Sequence, residues 1–91
     1  MNIFAGDIVY SKAGRDAGKT LVVLSVVDEN FVMLADGRSR KVDTPKKKKV
    51  KHLEKSGYRA EAVAEKLSAG ARVTNPDLKR ALAKLTDDID A

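Results

Sequence analysis

Over the first 37 residues, apolar and polar positions alternate in short blocks, and the apolar blocks predict strands. Ile8-Val9-Tyr10, Leu21 to Val27 and Phe31 to Leu34 are rich in β-branched and aromatic residues, which fit a pleated surface. The segments between them carry turn chemistry. Ala13-Gly14-Arg15-Asp16-Ala17-Gly18-Lys19 has two glycines four positions apart, which suggests a tight loop with a backbone position at positive φ. Asp28-Glu29-Asn30 is a short polar hairpin connection, and Asp36-Gly37 is a strong turn signal. Gly6 to Gly37 therefore reads as an antiparallel meander. Arg38 to Pro45 is expected to add a fourth strand stopped by the proline, and Val50 to Leu53 a fifth with imperfect alternation. Four to five strands of this length curl into a small barrel, which removes exposed edges. Ile3 and Phe4 are expected to tuck against it.

At Glu54 the period changes. Ala60, Val63, Ala64 and Leu67 recur at helical spacing, with Gly70 as a stop. Thr74 and Asp77 match a capping box, and Pro76 sits where a first helical turn tolerates it. Leu78, Ala81, Leu82 and Leu85 then share one face, with Lys79, Arg80 and Lys84 on the other. The chain divides into residues 1–53, a barrel with basic loops, and residues 54–91, a C-terminal extension of two short helices. The fold class expected is mainly β with an α appendage. Two short helices need a surface to pack on; the Leu78, Leu82 and Leu85 stripe could serve the barrel or dock a protein partner. Thr86 to Ala91 is acidic and expected to fray.

Charge changes this picture more than composition does. Residues 1–53 hold 11 Lys and Arg against 6 Asp and Glu, and residues 54–91 hold 7 of each, so the net charge of +5 lies in the strand-rich part. Arg38 to His52 concentrates it: Arg38, Arg40, Lys41, Lys46, Lys47, Lys48, Lys49 and Lys51 face the single acid Asp43. Cations packed this densely repel one another, and an anionic partner would relieve that repulsion and release counterions. Nucleic acid is the expected partner. The competing reading is a solvated charge run that serves solubility. Pro45 to Val50 also has the look of a nuclear import signal, a pattern that lysine-rich RNA-binding surfaces produce by themselves. Cysteine is absent, which fits a reducing compartment, and no apolar run has the length of a membrane span. A cytoplasmic protein with no membrane partner is expected.

Candidate catalytic features lead nowhere. Ala13 to Thr20 satisfies a loose phosphate-binding loop, but that chemistry needs a helix directly after Lys19-Thr20, and Leu21 to Leu24 reads as strand. His52 is the only histidine; without a neighbouring nucleophile or further ligands it is neither a general base nor a metal site, and beside Lys51 it fits a phosphate contact or a packed rim position. Asp87, Asp88 and Asp90 stand at a chain end, where carboxylates are not held at a fixed separation. No enzyme, no metal, no cofactor and no small-molecule substrate is expected.

Gly6-Asp7-Ile8-Val9, the Ala13-to-Lys19 loop with its A-G-R-D-x-G-K pattern, Val22-Val23-Leu24 and Phe31 to Gly37 resemble a KOW motif. The likeness is to the archaeal and eukaryotic large-subunit ribosomal KOW proteins and their small bacterial relatives, and for the latter it extends over most of the chain, less distinctively in the helices. The resemblance implies an SH3-like barrel whose basic loops contact structured RNA, ribosomal RNA above all, with ribosomal proteins as further neighbours. It implies that Gly14 and Gly18 shape the loop while Arg15 and Lys19 face the RNA, with Lys12 beside them. In the basic segment it supplies a region, and the residues chosen there are Arg38, Arg40, Lys41, Lys46, Lys47, Lys48, Lys49, Lys51 and His52. Arginine would grip phosphate bidentately and lysine would act as a point charge. The only aromatic side chains are Phe4, Phe31, Tyr10 and Tyr58, with both phenylalanines expected in the core. That favours recognition of RNA shape over base stacking.

Two other classes compete. KOW modules also occur in transcription elongation factors, so a transcription-linked nucleic-acid role fits the charge pattern. A protein-interaction module would need an aromatic-lined groove, for which a chain with no Trp and two Tyr is poorly equipped.

Overall fold

The computed structural model describes residues 2–90, without the side chains of 88–90. Five strands, β1 (Asp7–Ser11), β2 (Thr20–Val26), β3 (Phe31–Ala35), β4 (Lys46–Lys49) and β5 (Leu53–Arg59), form one antiparallel sheet in the order β4-β3-β2-β1-β5. Two helices follow, α1 (Glu61–Ser68) and α2 (Asn75–Asp90). This is the mainly β architecture with an α appendage that the pattern predicts. β4 and β5 stand at opposite edges of the sheet, yet only the 3₁₀ turn Val50–His52 separates them. Laid flat, the edges would lie ~19 Å apart. Four residue steps reach at most ~14 Å. The sheet must curl until its edges approach, and irregular pairing near Asp7–Val9 and Val23–Ser25 takes up part of the bend.

Side chains of adjacent residues leave opposite faces of a strand, and both faces are covered. Val9, Leu21, Val23, Val32, Leu34 and Leu53, with Ile3, form one buried cluster. Ile8, Val22 and Ala35, their neighbours in sequence, form a second with Ala60, Val63, Val73, Leu78 and Leu85 from the helical part. The second cluster answers the question left by the leucine stripe: Leu78 and Leu85 are buried, and Ala81 and Leu82 pack against the same cluster. The stripe covers the barrel.

Glycine permits the close approach of helix to sheet. Gly6 has φ +94°, and a Cβ there would lie 2.6 Å from Ala64 Cβ. Gly37 has φ +80°, and a Cβ there would lie 2.5 Å from the Asn75 carbonyl oxygen. The capping box forms as expected: the Thr74 N–H donates to Asp77 Oδ2 at 2.9 Å and the Asp77 N–H to Thr74 Oγ1 at 3.3 Å. Asp77 also accepts from Lys66 (2.8 Å) and Arg80 (2.8 Å). The Lys66 hydrogen bond and the Thr74 N–H hold its carboxyl well below the usual carboxylate range, against the opposing effect of burial.

Four expectations need correction. Arg38 to Pro45 is not a strand. Asp36 Oδ1 accepts from the N–H groups of Arg38 and Arg40, and the Val42 N–H donates to Asn75 Oδ1 at 2.8 Å. The donors a ladder would use are spent on a turn and on α2. The fourth strand is the lysine run itself, and the fifth is Leu53–Arg59, continuing past Glu54. Phe4 lies outside the core at 59% exposure, and Phe31 is only half-buried. α2 runs through the acidic stretch expected to fray, while Asp88, Asp90 and Ala91 lie outside the residues whose side chains are described.

Candidate nucleic-acid interface

The loop between β1 and β2 folds around one buried acid. Gly14 (φ +77°) and Gly18 (φ +85°) turn the chain, and a 3₁₀ turn over Gly14–Asp16 carries the Asp16 carboxylate inward. There Arg40 meets it with two contacts, Nε to Oδ1 at 3.3 Å and Nη2 to Oδ2 at 3.2 Å, and Lys19 Nζ stands 3.5 Å away. Burial pushes the Asp16 carboxyl up, but the Arg40 hydrogen bond and charge, joined by Lys19, outweigh it and hold the pKa low. Lys19 Nζ also donates to Ser39 Oγ at 3.1 Å. The loop is thereby fastened to the Asp36–Arg40 turn. Asp36, raised by burial but lowered further by the Arg40 and Arg38 N–H groups, the Ser39 hydroxyl and the Lys19 charge, holds that turn as an anion.

β4 presents the lysine run in alternation. Lysine is a poor strand former, but an edge strand is where it is used, since its charge discourages pairing with another chain. β4 pairs with β3 at Phe31↔Lys49, Val32↔Lys48, Met33↔Lys47 and Leu34↔Lys46. Lys48 turns inward: it is buried, and its Nζ donates to the Ala13 carbonyl at 2.7 Å, tying β4 to the β1–β2 loop. Lys47 and Lys49 turn outward over the Phe31 ring, their Nζ atoms 4.7 Å and 6.0 Å from its centroid. Lys46 is half-buried. The Lys12 N–H donates to the His52 carbonyl at 2.8 Å, so the 3₁₀ turn that carries Lys51 and half-buried His52 closes against the same loop.

These links make neighbours of four segments that carry the twelve basic side chains predicted from sequence. They also sort the twelve. Arg40, Lys19 and Lys48 are engaged with Asp16, Ser39 and the Ala13 carbonyl. Lys12, Arg15, Arg38, Lys41, Lys47, Lys49 and Lys51 are exposed and form no ion pair among the described residues. Beside Phe31 a groove of about 670 Å³ runs between Lys49, Lys51 and Lys55, over Ile3, Val50 and Leu53. Lys55 was not foreseen, because no strand is legible at its position. Asp16 was read only as part of a motif; the sign of its role is an acid alone in a basic loop. Thr20 opens β2 instead of a helix, so the loop lacks the helix terminus that a nucleotide phosphate would meet. No group of three or more His, Cys, Asp or Glu side chains is placed to hold a metal among the described residues. No described helix is long and apolar enough to cross a membrane.

No protein-family model matches the chain. Curated relatives do. The chain is 37% identical over 49 residues to the large ribosomal subunit protein eL14 of Staphylothermus marinus, a match covering 54% of this chain and 51% of that protein. It is 35% identical over 49 residues to the large ribosomal subunit protein eL14 of Desulfurococcus amylolyticus, with the same coverage. The chain thus spans about half the length of the curated relatives it matches.

Proposed function

We propose that the protein is a non-enzymatic KOW-type RNA-binding module that contacts structured ribosomal RNA of the large subunit, with the strand-forming part through Arg59 supplying the RNA-facing surface and α1 and α2 the helical extension. The observation that carries this reading is the sorting of cations. Three are engaged within the structure, and seven stand exposed on adjoining segments with no ion partner among the described residues. Such a surface binds phosphates with release of counterions. The partial likeness to two large-subunit ribosomal proteins supports ribosomal RNA as the partner. With Lys47 and Lys49 lying over Phe31, that ring offers little free face for a base, which favours backbone and shape over stacking.

Ribosome co-sedimentation at low and high salt tests the reading. Wild-type protein is expected in the large-subunit fractions at low salt and at the top of the gradient at high salt. A variant with Lys47, Lys49 and Lys51 changed to Gln is expected to shift to the top already at low salt, because each lost phosphate contact lowers the salt slope by about one. Protein at the top at every salt would rule out stable ribosome association.

A further inference from the structure

α2 does more than cover the barrel. Leu78 points into the shared core, and the next residue, Lys79, comes out where α2 meets the Asp36–Arg40 turn. Its stem passes over Gly37: a Cβ built there would lie 3.2 Å from Lys79 Cγ. Between helix and turn lies a recess of about 540 Å³, lined by Lys19, Arg38 and Lys79, with the hydroxyl side chains Ser39, Thr20 and Thr86 around them. Arg38 and Lys79 are exposed and form no ion pair among the described residues. The one acid of the lining, Asp36, has both oxygens occupied, Oδ1 by the Arg38 and Arg40 N–H groups and Oδ2 by Ser39 Oγ. Three cations from three segments thus line one recess. Lys19 already faces Asp16 at 3.5 Å, and the one carboxylate of the lining is satisfied within its own turn. Arg38 and Lys79 are left without an ion partner among the described residues.

We propose that this recess binds a backbone phosphate of the RNA, so that α2, through Lys79, is part of the RNA-binding surface. This rests on the RNA reading above and adds to it a residue of the helical extension. The geometry sets Lys79 apart from the other cations of α2. Arg80 is held by Asp77 at 2.8 Å. Lys84 lines a different groove, between α2 and the end of β5, with Ala81, Leu85 and Tyr58. The Lys84 groove also holds a barrel cation, Arg59, but Asp7 pairs it at 2.7 Å. The Lys79 flank joins Arg38, which forms no ion pair among the described residues and belongs to the surface already assigned to RNA.

The test compares two charge removals on the same helix. Lys79→Met and Lys84→Met each take away one ammonium and keep the aliphatic stem. Binding is measured by filter retention of large-subunit ribosomal RNA, purified from salt-washed ribosomes, across a salt series. Lys79→Met is expected to weaken binding about tenfold at 0.1 M salt and to lower the salt slope by about one. Lys84→Met is expected to change affinity by less than about twofold. Lys79→Arg should restore both affinity and slope. Equal effects from the two methionine variants would reduce Lys79 to a share of net charge and overturn the inference. So would an unchanged slope in Lys79→Met while the Lys47, Lys49 and Lys51 variant is weakened; the RNA reading would then stand without α2. Wild-type protein that does not retain the RNA at any salt would take down the RNA reading, and this inference with it.

Discussion

The face of the barrel beneath the helices and the region around β4 belong to one sheet, yet they treat their side chains in opposite ways. Beneath α1 and α2, Ile8, Val22 and Ala35 meet Val63, Val73, Leu78 and Leu85 in one apolar cluster. Around β4, side chains of a single chemistry are split by strand alternation: Lys48 braces the β1–β2 loop from within, while Lys47 and Lys49 stand in solvent over Phe31. Burial on the first face is set by residue type. Around β4 it is set by which way each residue points. A lysine count therefore says little about binding until the strand register divides braces from free charges.

The largest effect that could break this comparison lies on the covered face. Leu78 is fully buried where α2 meets the sheet. Leu78→Ala is expected to destabilise the protein by about 2–5 kcal/mol, the lost transfer energy plus the cavity left behind. Urea unfolding followed by circular dichroism measures it. At a urea-free concentration where the variant is still folded, its RNA affinity should match wild type. A stability loss below about 1 kcal/mol would mean that α2 is only loosely seated on the barrel.

What the sequence made legible follows the same division. The first three strands were readable because both the apolar runs and the turn residues between them agree: Gly14, Gly18 and Gly37 all take the positive φ that such turns demand. The capping box at Thr74 and Asp77 was readable because its hydrogen bonds are local. Residues 38–59 were misassigned for a reason that is not local. Arg38 to Thr44 has strand-like content, but its N–H groups are taken by Asp36 and by Asn75, 33 positions away from its partner Val42. Lysine is depleted in strands, and the run pairs because β3 offers an open edge. At the site, the cationic region was legible from charge density alone. Which cations are braces was not, since Lys48 and Ala13 are joined across 35 positions and Arg40 and Asp16 across 24.

A smaller effect sharpens the comparison within β4. Lys48→Met removes the donor to the Ala13 carbonyl and is expected to cost about 1.5–3 kcal/mol, the scale of a hydrogen bond from a charged group. Lys47→Met on the same strand should change stability by less than about 0.5 kcal/mol. RNA binding should report the reverse order in its salt slope: Lys47→Met loses about one phosphate contact, whereas Lys48→Met loses affinity only through a looser loop and keeps the slope. Equal slopes for the two variants would erase the distinction between brace and free charge.

The smallest effect near neutrality, and the one that tests the anchoring acids of both regions together, is the response to pH. Asp16 and Asp36 beside the cationic loops and Asp77 at the start of α2 all have carboxyls held below their ordinary value of 3.8. A carboxyl whose pKa is lower folded than unfolded binds protons more readily in the unfolded chain. Its contribution is complete above the unfolded value and is lost as pH falls from there through the folded value. Stability should therefore be flat between pH 7 and pH 5, then decline below about pH 4. Asp77 is lowered most, through Lys66, Thr74 and Arg80, so Asp77→Asn should flatten the acid limb more than Asp16→Asn does, while both lose stability at pH 7. An acid limb that survives both asparagine variants at full depth would place the titrating groups elsewhere and remove these carboxylates as the anchors of the two regions.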